Sequence, residues 1–94
     1  MPAYLVARVD VHDMEQYKQY TALSPAAIGA FGGEFIVRGG RYAGVEGASR
    51  ERNVVIEFPD YDAALACYNS PEYAAAREIR QAIADGEITV VEGV

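Results

Sequence analysis

Four short segments of the chain alternate between hydrophobic and polar residues: 3–10, 34–38, 53–58 and 87–92. A period of two is typical of β-strands with one buried face. Two longer segments, 14–31 and 61–83, repeat their apolar residues at helical spacing instead. The pattern therefore predicts the element order βαββαβ.

Local signals predict where the first helix begins and ends. Asp13 is suited to an N-cap, and Gln16 three residues later completes a capping box. Ser24-Pro25 interrupts the helical pattern, and because proline lacks a backbone donor it predicts a kink or a new helix start. Gly32-Gly33 is expected to end the helix.

The second helical segment has two start signals. Asp60 is expected to cap a short helix, and Ser70-Pro71 to begin another. Gly86 is expected to end it before the last strand. The connection over residues 41–52 is polar and contains glycines, which favours a flexible hairpin or a lid over a cleft.

Short connections and right-handed crossovers arrange these elements as a four-stranded antiparallel sheet with the helices on one face. This is the α+β, ferredoxin-like sandwich. A chain of 94 residues is expected to form one such domain, spanning residues 1–94.

If the strands contain no bulges, alternate residues point to opposite faces of the sheet, and the two faces differ in composition. One face is wholly apolar and should lie under the helices: Leu5, Ala7, Val9, Phe35, Val37, Val54, Ile56, Phe58, Ile88 and Val90. The other mixes apolar residues with charges: Tyr4, Val6, Ile36, Val55 and Val91 with Arg8, Arg38 and Glu57. A face open to water would be more uniformly polar, so a homodimer through this mixed face is expected.

The segments just described resemble those of a family of small bacterial proteins, domain-of-unknown-function family 1330. The resemblance covers nearly the whole chain and is carried by VDVHDMEQYKQY, FGGEFIVRGG, VVIEFPDYDAALACYNSPEYAAAR and the closing VEG. It implies a dimeric α/β-barrel, in which two ferredoxin-like subunits join through their sheets. It implies no agreed activity, since the wider group includes oxygenases, lactone isomerases, haem-handling enzymes and ligand-sensing domains.

The charge, hydropathy and cysteine content of the chain limit which partners and which cellular compartment are expected. The formal net charge is −6 and no basic cluster is present, which argues against nucleic acid. No apolar run is long enough to span a membrane, and the first residues do not resemble a secretion signal. Cys67 is the only cysteine, which fits a cytoplasmic setting.

Arg38 and Glu57 are the first candidates for chemistry, because both are expected on the mixed face of paired strands. Arg38 could bind an anion beside Glu57 as an acid or base, with Arg8 on the same face. The alternative, which the sequence favours, is that these residues form cross-strand or intersubunit ion pairs.

Tyrosines and a further arginine supply a second set of ligand-binding candidates. Tyr17, Tyr20, Tyr68 and Tyr73 could line an apolar pocket, although tyrosines at helical spacing are more often core residues. Tyr73 and Arg77 lie one turn apart, on a flank of the last helix that is more simply interpreted as solvated.

His12 and Cys67 are the remaining reactive side chains. His12 could act as a base, but a surface histidine near a helix cap is the simpler interpretation. No second histidine or cysteine stands at ligand spacing, so no metal site is predicted, and Cys67 is expected to pack in a helix.

Together these features predict a small dimeric protein that binds a small organic molecule in a cleft between sheet and helices. One alternative is a cofactor-independent enzyme of the oxygenase or isomerase type, with Glu57 or His12 as base and Arg38 stabilising an oxyanion. Another is a structural dimer without ligand. No cofactor is expected in any of the three, and whether the protein is an enzyme stays open.

Overall fold

A computed structural model describes all 94 residues and contains four strands and three helices. The strands are β1 (Ala3–Val11), β2 (Glu34–Arg38), β3 (Arg52–Phe58) and β4 (Ala84–Glu92). The helices are α1 (Met14–Ala30), α2 (Tyr61–Tyr68) and α3 (Pro71–Ile83). The strands form one antiparallel sheet in the order β2-β3-β1-β4, which confirms the predicted ferredoxin-like fold.

Each helix begins at the residue that the sequence predicts as its cap. Oδ1 of Asp13 accepts a hydrogen bond from the Gln16 backbone N–H at 3.2 Å, and Asp60 accepts one from Ala63 at 2.7 Å. Oγ of Ser70 accepts one from the Tyr73 backbone N–H at 3.1 Å, with Pro71 at the first helical position. These bonds satisfy donors that the first helical turn leaves free.

Of the two outcomes allowed at Ser24-Pro25, the structure excludes a new helix start, because α1 continues from Met14 to Ala30 with Pro25 inside it. Ser24, Ala27 and Ile28 are buried on one side of this helix. Their packing keeps the turns on either side of the proline in phase, and this outweighs the loss of one backbone hydrogen bond.

Gly86 does not end α3, so that prediction is wrong. The helix ends at Ile83, and β4 begins at Ala84 with extended backbone angles. Gly86 lies inside β4 opposite Val9, where a Cβ atom would stand 2.0 Å from the carbonyl oxygen of Arg8. A glycine is needed here because the backbone of β1 passes too close for any side chain.

A bulge in β2 changes which of its residues face the helices. Phe35 pairs with Ile56 but Val37 pairs with Val55, so Ile36 is an extra residue in β2. The residues after it are therefore moved to the opposite face of the sheet from the one that simple alternation predicts.

Two predictions about the sheet faces are wrong as a result. Val37, expected in the core, is 41% exposed. Arg38, expected on the mixed face, pairs with Val54 and lies on the helix side. Arg52 opens β3 with the same parity as Val54, so the face under the helices is not wholly apolar.

The hydrophobic core lies between the sheet and the helices. Its buried members come from every helix and from β1 and β3: Ala3, Leu5, Ala27, Ile28, Val54, Ile56, Phe58, Ala64, Cys67, Tyr73 and Ala76. The opposite face of the sheet, which we call the open face, carries no helix. None of the helices has the length and apolar character needed to cross a membrane.

Replacing Gly86 with alanine should destabilise the fold by about 1–3 kcal/mol, because the new Cβ forces β1 and β4 apart. Gly29→Ala is the matched control, since a Cβ there has no heavy atom within 4 Å. Because alanine has a higher helix propensity than glycine, Gly29→Ala should stabilise the protein by up to about 1 kcal/mol. Urea unfolding of both variants measures the difference, and equal stabilities would contradict the close approach at Gly86.

Candidate ligand-binding site

A cavity lies between the sheet and the pair α1 and α3, at the end of the sheet where β2 ends and β3 begins. Its volume is about 20 Å³, room for about one water molecule. Its walls are apolar and aromatic apart from two small hydroxyls and three guanidinium groups: Leu5, Ala7, Val9, Tyr17, Tyr20, Thr21, Ser24, Phe35, Arg38, Arg52, Val54, Ile56, Tyr73, Arg80 and Ile88.

Arg80 is the most deeply buried charged residue of the site, with 6% of its surface exposed. It belongs to the buried stripe of α3, which runs through Tyr73, Ala76, Arg80 and Ile83. Its Nε and Nη2 atoms are buried and have no hydrogen-bond acceptor in the protein. Its Cζ atom lies 5.8 Å from the ring centre of Tyr20.

Arg80 keeps its positive charge in this setting. Burial disfavours the charged guanidinium, but the phenol oxygens of Tyr73 and Tyr20 favour it, and the net result is a raised pKa for Arg80. The residue is therefore a fixed cation inside the protein.

Arg52 and Arg38 bring two further guanidinium groups to the cavity from the sheet. The Cζ atom of Arg52 lies 5.2 Å from the ring centre of Tyr17, and its buried Nε has no acceptor in the protein. Arg38, delivered by the bulge in β2, stacks over Phe35 at 4.2 Å and is exposed. It thus marks the solvent side of the cavity.

No acidic residue balances these cations within the cavity. No Asp, Glu or His lines it, and no carboxylate lies within ion-pair distance of Arg38, Arg52 or Arg80. The site consequently combines an apolar interior with an uncompensated positive charge.

Tyrosines form the helix side of the cavity. The hydroxyls of Tyr20 and Tyr73 are 2.6 Å apart and share a hydrogen bond. The rings of Tyr17 and Tyr20 pack with centres 5.3 Å apart, and those of Tyr20 and Tyr73 meet edge to face at 6.2 Å. Burial raises the pKa of both Tyr17 and Tyr20, so these phenols stay protonated.

Four of the predicted ligand-binding residues meet at this cavity: Tyr17, Tyr20, Tyr73 and Arg38. Tyr73 is buried, so its predicted place on a solvated flank of α3 is wrong. The buried stripe passes through Tyr73 because α2 packs beside it, with the ring of Tyr68 centred 6.0 Å away.

Arg8 and Glu57 lie on the open face of the sheet, away from the cavity. Arg8 pairs with Glu87 at 3.7 Å and donates a hydrogen bond to the Ala48 carbonyl at 3.1 Å. Glu57 stands opposite Tyr4 in β1. The predicted pairing of Arg38 with Glu57 is wrong, because the bulge puts Arg38 on the other face.

Tyr68 and Arg77 interact with each other outside the cavity. Nη1 of Arg77 donates a hydrogen bond to the Tyr68 carbonyl, and its Cζ atom lies 5.2 Å from the Tyr68 ring centre. This contact ties α3 to the end of α2.

His12 and Cys67 are also outside the cavity. Nε2 of His12 lies 2.6 Å from a carboxylate oxygen of Asp85, and both side chains are exposed. Cys67 is buried in the core, and burial raises the pKa of its thiol to about 11. No three His, Cys, Asp or Glu side chains are grouped to hold a metal ion.

Arg52 and Arg80 are the site residues that the sequence analysis missed. Arg52 stands one residue before the predicted start of its strand, where extending the alternation places it under the helices. Arg80 falls three residues before Ile83 and four after Ala76, on the buried stripe of α3. Both signals are present in the sequence, but arginine is so rarely buried that neither signal alone indicates an interior position.

The fold and the cavity together define a ferredoxin-like protein with a largely apolar, positively charged cavity between its two layers. The chain belongs to the family described as a domain of unknown function (DUF1330), whose model matches residues 2–94. The predicted resemblance is thereby confirmed. No curated protein matches the sequence significantly.

Solved structures with the same fold are similar to the chain at low sequence identity. A protein of unknown function from Rhodopseudomonas palustris, RPA0582, is 19% identical, with 99% of this chain and 82% of that chain covered and a TM-score of 0.81. A dimeric ferredoxin-like protein of unknown function from Jannaschia sp. CCS1 is 18% identical, with 100% and 99% covered and a TM-score of 0.76. SnoaB from Streptomyces nogalater, a cofactor-independent oxygenase, is 17% identical, with 99% and 93% covered and a TM-score of 0.69.

The buried tyrosines predict a loss of stability in alkali. Because the pKa of Tyr20 is raised in the folded protein, the unfolded chain releases this proton first as the pH rises above about 10. Stability is therefore complete below that pH and falls above it. Tyr20→Phe should make the fall shallower, whereas Tyr42→Phe, which changes an exposed tyrosine, should not. Urea unfolding at increasing pH measures the slopes, and equal slopes for both variants would contradict the assignment.

Proposed function

We propose that the protein binds a small organic carboxylate in the cavity between the sheet and helices α1 and α3. The observation that carries this proposal is Arg80, a buried cation whose Nε and Nη2 donors have no acceptor in the protein. A carboxylate presents two oxygens in the plane of a guanidinium, so it can accept one hydrogen bond from Nε and one from Nη2 at the same time.

The energetics support a ligand rather than a structural role for Arg80. Removing a charged group from water costs several kcal/mol unless a partner and hydrogen bonds compensate. Tyr20 and Tyr73 favour the charged guanidinium, but its Nε and Nη2 donors still have no acceptor in the protein. A bound anion would supply the missing acceptors, and the apolar walls would contact its carbon atoms.

A catalytic role receives less support from the cavity. A cofactor-independent oxygenase shares this fold, as SnoaB shows. Arg80 with the hydroxyl of Tyr20 could stabilise an oxyanion. However, proton abstraction from a carbon acid needs a base within reach. Glu57 and His12 lie outside the cavity, so binding is the function that we propose.

Butyrate and its neutral counterpart butyramide test the proposal, because they are alike in size and shape and differ in charge. An NMR titration that follows backbone amide resonances should show butyrate binding with shifts along α1 and α3. Arg80→Met should weaken butyrate binding by about tenfold or more, since charge-assisted hydrogen bonds contribute about 1.5–3 kcal/mol.

Arg77→Met is the matched control. It removes a guanidinium from the same helix, three residues away, whose contacts are with Tyr68 and not with the cavity. This variant should bind butyrate as the unchanged protein does. Binding of butyramide as tight as that of butyrate, or equal weakening by the two arginine variants, would contradict the proposal.

We also propose that two copies associate through the open face of the sheet. Ile36, Val37 and Val91 are exposed large hydrophobic residues on this face, and Val6 and Val55 stand directly opposite each other near its centre. The Jannaschia protein with the same fold is dimeric. Apolar side chains without a covering layer are a common property of interfaces between subunits.

Val55→Asp should convert the dimer to monomers, because it would bury a carboxylate at the centre of the interface. Ala22→Asp, on the exposed outer side of α1, is the control and should leave the dimer intact. Sedimentation velocity gives the mass of each species. A monomeric unchanged protein, or a dimer that persists in Val55→Asp, would contradict this arrangement.

The setting that we propose is the cytoplasm. Cys67 is a free and buried thiol, and reduced cysteines are usual where glutathione and thioredoxin act. Cell fractionation with detection of the protein in the cytoplasmic fraction tests this assignment.

A further inference from the structure

We infer that the ligand of this cavity is a short dicarboxylate, bound as a dianion between Arg80 on one side and Arg52 on the other. This inference rests on the proposed function and adds the chemical class of the ligand. Two properties of the cavity support it, the separate origin of its free donors and its charge, and its small size limits the length of the ligand.

The free donors belong to two arginines in different layers of the fold. Arg80 projects from α3 with two unpartnered donor nitrogens, and Arg52 projects from β3 with one. Each guanidinium lies against its own aromatic ring, Tyr20 for Arg80 and Tyr17 for Arg52. Two anchors on opposite walls fit a ligand with an acidic group at each end.

The charge of the cavity also exceeds what one carboxylate can balance. Arg38, Arg52 and Arg80 line it and no acid does, although the chain as a whole carries a net charge of −6. A monoanion would leave an excess of positive charge in a space of low dielectric, where it is poorly screened. A dianion would neutralise the two inner guanidiniums and leave only Arg38, which is exposed to water.

The size of the cavity limits the chain that joins the two acidic groups. A volume of about 20 Å³ holds about one water molecule, so the side chains around the cavity must move to admit any organic ligand, and a short ligand needs the least movement. The walls of the cavity also include Val9, Val54 and Ile88, which suit a few methylene groups. The dicarboxylate is therefore short.

Succinate and butyrate provide the test, because succinate has a second carboxylate where butyrate has a methyl group. Affinities are measured by NMR titration at neutral pH and constant ionic strength, with butyramide as the neutral reference. Succinate should bind about tenfold tighter than butyrate or better, as expected for a second charge-assisted contact.

Arginine variants assign the two ends of the ligand. Arg52→Met should reduce succinate affinity to about that of butyrate, and Arg77→Met should not change it. Arg52→Lys keeps the charge while losing the fork of donors, so it should recover part of the affinity. Urea unfolding of each variant, without ligand, establishes that it is folded.

The possible results distinguish the dicarboxylate inference from the proposal that the cavity binds a carboxylate. Equal affinities for succinate and butyrate, both above that of butyramide, would overturn the dicarboxylate inference and leave anion binding in place. The inference is also overturned if Arg52→Met is folded and binds succinate normally. If neither acid binds better than butyramide, the proposed function itself fails.

Discussion

The buried guanidinium of Arg80 is the feature on which this account of the protein depends. Its position follows from the packing of α3, because Arg80 belongs to the stripe of this helix that is buried: Tyr73, Ala76, Arg80 and Ile83. A charge in such a place lowers stability unless acceptors surround it. Tyr20 and Tyr73 provide a polar and aromatic environment but no negative charge, and we propose that a bound anion supplies it.

The bulge at Ile36 connects local backbone geometry to this site. One extra residue in β2 moves Arg38 to the helix side and exposes Val37 beside Ile36 on the open face. The same irregularity thus adds a cation to the cavity and apolar surface to the face proposed for the dimer. Bulges commonly re-aim side chains near functional sites, and here the effect reaches both faces of the sheet.

The sequence predicted the fold well because the fold depends on signals that are local and strong. Caps at Asp13, Asp60 and Ser70 and the alternation in the strands identify each element and its order.

The site was predicted only in part. A bulge depends on the pairing of two strands that are distant in the chain, so parity alone placed Arg38 on the wrong face. Arg80 was missed because burial of an arginine depends on tertiary packing, which overrides the usual preference of charged residues for water.

The most direct test of the central claim is the stability of Arg80→Met in a buffer without organic anions, measured by urea unfolding against the unchanged protein. Methionine fills much of the same space without charge, and buried ion pairs replaced by well-packed apolar residues often leave stability unchanged or raise it by about 1–4 kcal/mol. If Arg80 binds a ligand and does not stabilise the fold, the variant should be at least as stable as the unchanged protein. A loss of about 2 kcal/mol or more would show that Arg80 holds the structure together, and would contradict the account.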